Sequence, residues 1–307
     1  MIIKDNCSVC IRECKKGRSF CQRRDENGNL KAENMFCAIA VDHLSDKPII
    51  YFGGNAKVLS IGSWGCNFRC LGCQNVNLSW SVTGDNLGLI LLEPQGIVDL
   101  ALKNECRGIC YTYNEPAILI EAVENIASLA KEHELFNVLV TNSTLTEKSV
   151  RRIARYIDAV AADIKSLDND FYYEYCGAAG IPDVAVKILK CIRAFPENGC
   201  HVEVRTNIIP HANDQEDNYR GIAKWIHDNL GPATPWHITR FFPAHKLSHV
   251  GQTPCESMTK AQKTGYDAGL INVQIFAEKG CDCAGEKDMV VVNRLHETHD
   301  CCKNKNK

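Results

Sequence analysis

The chain has 307 residues, 45% apolar and 23% charged, with a formal net charge of −2 from 35 basic and 37 acidic side chains. That is enough for one large α/β barrel or two smaller domains with a sizeable core, and neither disorder nor a nucleic-acid partner is called for. No apolar run approaches the roughly 18 residues of a membrane span, and Lys4, Asp5, Arg12, Glu13, Lys15, Lys16 and Arg18 break up any signal-peptide core; the expectation is a cytoplasmic protein without a membrane partner.

In a reducing compartment, 18 cysteines point to metal or redox work rather than disulfides. Residues 1–52 form a polar, cysteine-rich extension. Cys7, Cys10, Cys14 and Cys21 are spaced C-x2-C-x3-C-x6-C, and four thiols on a short polar segment can close a metal site that folds it. Zinc, a second iron–sulfur cluster and no metal are all open, with Cys37 and the tail cysteines as substitute ligands. Residues 53–280 alternate short apolar runs with amphipathic stretches. Strands are predicted at 58–62, 108–113, 137–142, 159–165, 201–210, 236–243 and 271–277. Helices are predicted at 115–134, 146–156, 183–195, 217–230 and 256–268. Strand starts recur about every 35 residues, the length of one β–α unit. The fold class is therefore α/β with a parallel sheet and right-handed crossovers. Six complete β–α units favour a partial (β/α)6 TIM-like barrel over a doubly wound sheet. Residues 281–307 form a polar tail carrying Cys281, Cys283, Cys301 and Cys302.

Just after the first strand of the repeat, Cys66, Cys70 and Cys73 stand as C-x3-C-x2-C. Thiolates are the natural ligands of iron–sulfur clusters. Three local cysteines on a four-iron cluster leave one iron open, as an open position marks a catalytic zinc. A small chelating ligand can bind there. The competing reading is structural zinc with a remote fourth ligand, but zinc sites usually come as two paired C-x2-C arms.

In a β/α barrel, ligand groups gather at the carboxyl ends of the strands. There this sequence places Asn114 and Glu115 after the second strand, Asn142 at the third, Asp163 and Lys165 at the fourth, Arg205 and Asn207 on the fifth and Arg240 on the sixth. Such groups are costly to bury without partners, and their convergence suits a charged, polar ligand. Each has a structural alternative. Asn114 and Glu115 could cap the helix that Pro116 opens. Asp163 and Lys165 share a strand face and could be an ion pair. Arg205 could serve any carboxylate in the barrel.

C-x3-C-x2-C after a first barrel strand resembles the radical S-adenosylmethionine (SAM) superfamily. The match narrows with Cys37–Asp42, Val58–Gly62, Cys73-Gln74-Asn75, Tyr111–Pro116, Asp163-Ile164-Lys165, Thr206–Pro210, Asn213-Asp214 and Trp236–Pro243. Together these resemble the radical SAM enzyme of the AmmeMemoRadiSam system, a relative of pyruvate formate-lyase activating enzymes. The resemblance implies that Cys66, Cys70 and Cys73 hold a [4Fe-4S] cluster whose open iron is chelated by the amino and carboxylate groups of S-adenosyl-L-methionine. It implies that Glu115 and Asn114 meet the SAM amino group, that Asp163 and Lys165 hold its polar groups, and that Asn142 and Arg205 serve the ribose or carboxylate. Gly72 stands where relatives usually carry an aromatic residue, and Ser143 and His211 stand where they carry glycine. The implied reaction is reductive SAM cleavage, started by an electron donor such as ferredoxin or flavodoxin, with hydrogen abstracted from an unknown substrate. Memo-type and AMMECR-type proteins are implied neighbours. Two other functions stay open: an activase that installs a glycyl radical on a partner enzyme, and a non-catalytic zinc-binding scaffold.

Overall fold

The computed structural model describes residues 6–278 and the backbone of a strand at Met289–Val292; the predicted tail cysteines lie outside the described residues. In chain order the elements are β1 (Met35–Phe36), β2 (Ala38–His43), β3 (Lys57–Gly62), α1 (Val76–Ser79), β4 (Ile90–Leu91), α2 (Pro94–Lys103), β5 (Gly108–Tyr111), α3 (Ile120–Glu132), β6 (Phe136–Thr141), α4 (Glu147–Ile153), β7 (Ala159–Asp163), α5 (Asn169–Tyr175), α6 (Val184–Ala194), β8 (His201–Ile208), α7 (Glu216–Leu230), β9 (Trp236–Arg240), α8 (Cys255–Asp267), β10 (Val273–Glu278) and β11 (Met289–Val292).

One sheet runs β11-β10-β9-β8-β7-β6-β5-β3-β2. Every neighbouring pair is parallel except β2 and β3. Helices cross over between the consecutive parallel strands from β3 to β10, so the six β–α units read from the sequence are present. The helices form because their apolar residues fall on one face and their starts are capped. On α6, Val184, Ile188, Cys191 and Ile192 are buried at helical spacing. The α4 cap is Thr146, whose side chain accepts from Ser149 N–H.

Strand alternation sorts the sheet's two faces. Leu59, Ile61, Ile109, Leu139, Val160, Ala162, Val202, Val204, Ile238 and Ile275 pack in the helix-covered core. Val58, Cys110, Val138, Val140, Ala159 and Ala161 face inward and make a second cluster with Leu44 and Ile49. The segment after β2 therefore fills the barrel floor. Glu203 on β8, fully buried, clamps it there: its carboxylate accepts the backbone N–H groups of Ile50, Tyr51 and Phe52 at 3.0–3.1 Å and also meets His201 and His237.

Two boundaries differ from the sequence reading. Residues 38–52 belong to the sheet edge and the floor rather than to a separate extension, because β2 pairs along its whole length with β3. The sheet also continues past residue 280, with β11 parallel to β10 inside the segment read as a tail. The helices α1, α2 and α5 lie outside the predicted elements. For α2 and α5 the signals were local: Pro94 in the first turn of α2, and Asp168 capping α5 through Asp170 N–H.

Candidate active site

The strand ends place the predicted residues at one mouth. The loop leaving β3 is shaped first. Gly65 takes φ +81, and a side chain there would press on Cys21 O at 3.1 Å, so only glycine fits without strain. Asn114 holds this loop: its Oδ1 accepts Ser63 N–H at 3.0 Å and its Nδ2 donates to Trp64 O and Gly65 O at 3.3 and 3.1 Å. The Asn114 side chain is thus committed to loop backbone rather than aimed at a ligand. Arg69 donates to the carbonyls of Cys66, Phe68 and Ser79 at 2.8, 3.0 and 3.3 Å, and Cys73 N–H closes a turn onto Cys70 O at 3.3 Å.

The three thiols of this loop are half-buried by exposure and within electrostatic reach of one another. Burial pushes the Cys66 thiol well above its ordinary value, and Glu115 and Cys70 push it further. Cys73 is raised by burial and by Cys70, against hydrogen bonds from Ser79 and the Asn75 backbone. For Cys70 the largest cause is a hydrogen bond with Cys176, followed by burial. Cys176 is a residue the sequence offered no reason to single out. It reaches the loop because Arg69 N–H and Leu71 N–H donate to Cys176 O and Tyr175 O, each at 2.9 Å. Three half-buried thiols with raised pKa values need a cation before they ionise. Three thiols on one loop, with Lys165 within electrostatic reach of Cys70 and Cys73, are a donor set that suits an iron–sulfur cluster.

Glu115 caps the helical turn that leads into α3, as one sequence reading had it, and does more. Its Oε1 accepts Ala117 N–H at 2.9 Å and Thr141 Oγ1–H at 2.7 Å, and its Oε2 accepts Asn142 N–H at 2.7 Å. Burial raises it to about 7 against these donors. Three of roughly four acceptor positions are filled, which leaves Oε2 room for one further donor.

Asp163 and Arg205 are direct neighbours in the β7–β8 register. Asp163 accepts from Arg205 Nε at 2.6 Å and pairs with Lys165 Nζ at 2.5 Å. Burial would raise Asp163, but Arg205 and Lys165 outweigh it and hold the carboxyl below its ordinary value. For Lys165, burial works downward, and Asp163, Cys70 and Cys176 turn the balance upward, so it stays charged beside the thiols. Asn142 donates to Asn67 Oδ1 at 2.9 Å and lies 3.9 Å from Cys66 Sγ. Phe241, just beyond β9, occupies the space a side chain on Gly72 would take, its Cε2 only 2.8 Å from a Cβ built there. Ser143 and His211 take φ +61 and +62, the left-handed region that glycine occupies without cost.

Residues 61–221 match the family model of the radical SAM superfamily, and the chain belongs to that superfamily. It is accordingly an enzyme whose cofactors are a [4Fe-4S] cluster and SAM, and the zinc-scaffold alternative falls away. A protein of Methanocaldococcus jannaschii without assigned function is 35% identical over 278 residues, covering 89% of this chain and 81% of its own. A candidate glycyl-radical enzyme activating enzyme of the same organism is 32% identical over 168 residues, covering 54% of this chain and 66% of its own. Among solved structures, a radical SAM methyltransferase from Sphaerobacter thermophilus superposes with a TM-score of 0.55 at 15% identity, over 75% of this chain and 68% of its own; at that identity the likeness concerns the fold. No helix among the described residues is long and apolar enough to cross a membrane.

Proposed function

We propose that Cys66, Cys70 and Cys73 hold the [4Fe-4S] cluster at the barrel mouth, that SAM docks on it, and that the product radical abstracts hydrogen from a macromolecular substrate. The observation that supports this best is the three thiols on one loop at the carboxyl end of β3, within reach of Glu115, Asp163 and Lys165 from the next strands. When bound, the cluster supplies the electron that splits SAM into methionine and a 5′-deoxyadenosyl radical.

The chain's own groups do the rest. The open acceptor position of Glu115 Oε2 suits an ammonium donor, and such a donor would draw the carboxyl back to its charged form. Lys165 and Arg205, both paired with Asp163, present positive charge to a carboxylate, and Lys165 also to the thiolates. Asn114 and Arg69 fix the loop so that the sulfurs keep their positions. Phe241 supplies an apolar wall against Gly72, where related enzymes carry the aromatic residue on the loop itself.

Oxygen-free incubation of reconstituted enzyme with SAM and dithionite, followed by chromatography, should yield 5′-deoxyadenosine and methionine; no 5′-deoxyadenosine would remove the proposal. The named relative favours one finer reading, a glycyl-radical enzyme activase, which predicts a glycyl doublet by electron paramagnetic resonance in a partner enzyme. The other, membership of an AmmeMemoRadiSam system, predicts that a Memo-type or AMMECR-type protein consumes or supplies the product of turnover. Ferredoxin or flavodoxin is the electron donor in either case.

A further inference from the structure

The N-terminal segment that carries Cys7, Cys10, Cys14 and Cys21 packs against the triad loop, and its contacts converge on one buried amide. Ile11 N–H donates to Thr144 O at 2.9 Å and Thr146 N–H to Val9 O at 3.1 Å, which seats the segment just past β6. Arg12 donates to Asn67 O and Gly177 O. Asn67 directly follows Cys66, and under this cover it is only 1% exposed.

The Asn67 side chain belongs to a closed ring of three. Asn142 Nδ2 donates to Asn67 Oδ1 at 2.9 Å, Asn67 Nδ2 donates to Thr144 Oγ1 at 2.6 Å, and Thr144 Oγ1–H donates to Asn142 Oδ1 at 2.5 Å. Each side chain gives one hydrogen bond within the ring and takes one. Turning one amide over by itself would set like atoms face to face. Thr144 and Asn67 are buried, and a buried polar network that is fully satisfied holds one arrangement. An amide nitrogen carries two hydrogens, so the ring leaves one spare N–H on each asparagine. That of Asn67 serves the Cys10 thiol. That of Asn142 faces Cys66, with Nδ2 3.9 Å from Sγ.

The Cys66 sulfur thus meets two N–H groups, the backbone of Phe68 at 3.4 Å and the Asn142 amide. We propose that Asn142, locked in direction by Asn67 and Thr144, is a positioning residue that donates to the Cys66 sulfur and so sets how readily the cluster on Cys66, Cys70 and Cys73 accepts an electron. The inference rests on the triad holding that cluster. The electron comes from the ferredoxin or flavodoxin, and no bond forms or breaks. A donor to a ligand sulfur stabilises the negative charge that reduction adds, so it eases reduction. The same geometry takes Asn142 away from the role that the family resemblance implies, a contact to the ribose or carboxylate of SAM. Its oxygen and one N–H are held in the ring, and the other N–H is at the sulfur. No side-chain N–H remains for a ligand oxygen.

Redox titration of full-length protein reconstituted without oxygen, followed by electron paramagnetic resonance in the absence of SAM, reads the effect directly. Asn142→Ala should keep the iron content of wild type and be about fivefold harder to reduce, a downward shift of about 40 mV at about 59 mV per tenfold. Its SAM affinity, measured by calorimetry on the oxidised protein, should stay at the wild-type value. Thr144→Val breaks the ring without touching the sulfur and should shift the potential in the same direction, whereas Thr144→Ser keeps the hydroxyl and should hold the wild-type potential. An unchanged potential in Asn142→Ala overturns the inference, and a loss of SAM affinity beside it returns the residue to the ligand. If Asn142→Ala loses its iron, the Thr144 pair decides, and equal potentials in Thr144→Val and Thr144→Ser overturn the inference. A wild type that takes up no iron removes the triad reading itself, and this inference with it.

Discussion

Glu203→Gln tests how the barrel floor is held beneath the site. The wild-type carboxylate is fully buried and takes five donors: three backbone amides of residues 50–52, His201 and His237. Burial alone would raise its pKa, but these donors hold it down at about 2 against an ordinary 4.5. At about 1.4 kcal/mol for each tenfold, that is about 3 kcal/mol in favour of the charged carboxylate. Among the donors, the hydrogen bonds from His201 and His237 are the largest, with the backbone amide of Ile50 after them; burial also lowers His237, so at neutral pH it donates as a neutral ring. Glutamine offers one oxygen where five donors converge and turns an N–H₂ group towards some of them, which leaves buried donors unsatisfied. Urea unfolding at pH 7 in oxygen-free buffer should show a loss of about 3–4 kcal/mol. The sign with pH follows from the lowered pKa: the carboxylate's contribution is present in full above pH 4.5 and is lost as pH falls towards 2. The gap between wild type and variant should therefore narrow below pH 4.5, and amide exchange at residues 50–52 should quicken in the variant. A variant within about 1 kcal/mol of wild type at pH 7, or a gap that does not change down to pH 3, would refute the clamp.

Other outcomes follow from the mouth. Asp163→Asn leaves Lys165 and Arg205 without their shared counter-charge; because those cations are 20% and 21% exposed, the cost measured by unfolding should be about 2–3 kcal/mol, below the full figure for a buried pair, with weaker SAM binding by calorimetry. Gly72→Ala places a methyl 2.8 Å from Phe241 Cε2 and should cost about 1–3 kcal/mol, with much of the loss recovered by adding Phe241→Leu. Ser143→Gly should stabilise by about 1 kcal/mol, because φ +61 is strained for serine and its buried Oγ has no hydrogen-bond partner. Cys176→Ala should keep the iron of the triad cluster, shown by iron analysis of the variant; loss of that iron would mean a fourth thiolate and no open site for SAM.

The barrel was legible because each strand carries its own signal. Inward and outward residues alternate with period two, amphipathic helices intervene, and the polar residues that break the apolar pattern stand at strand ends. The floor was not legible, since residues 44–56 have no periodicity and their anchor, Glu203, is far along the chain and looks in sequence like a polar residue in a strand. The exchange between Gly72 and Phe241 was hidden for the same reason: a missing side chain on one loop is filled from another strand, and only the fold brings them together. At Ser143 and His211 the comparison with glycine did carry information, because the backbone keeps the left-handed turn even with a side chain present.

Glu115 shows why alternatives drawn from sequence need not exclude each other. As a helix cap it needs only Ala117 N–H, and as a ligand group it needs only one free lone pair. Thr141 and Asn142 occupy the positions between. The carboxylate is thereby fixed in orientation before any ligand arrives, and burial keeps it near neutrality at about 7. A cationic ligand would meet a group already aimed at it, and its arrival would supply the charge that burial disfavours. SAM affinity should therefore rise with pH through the neutral range in wild type and lose that rise in Glu115→Gln, a difference that a capping role alone does not produce.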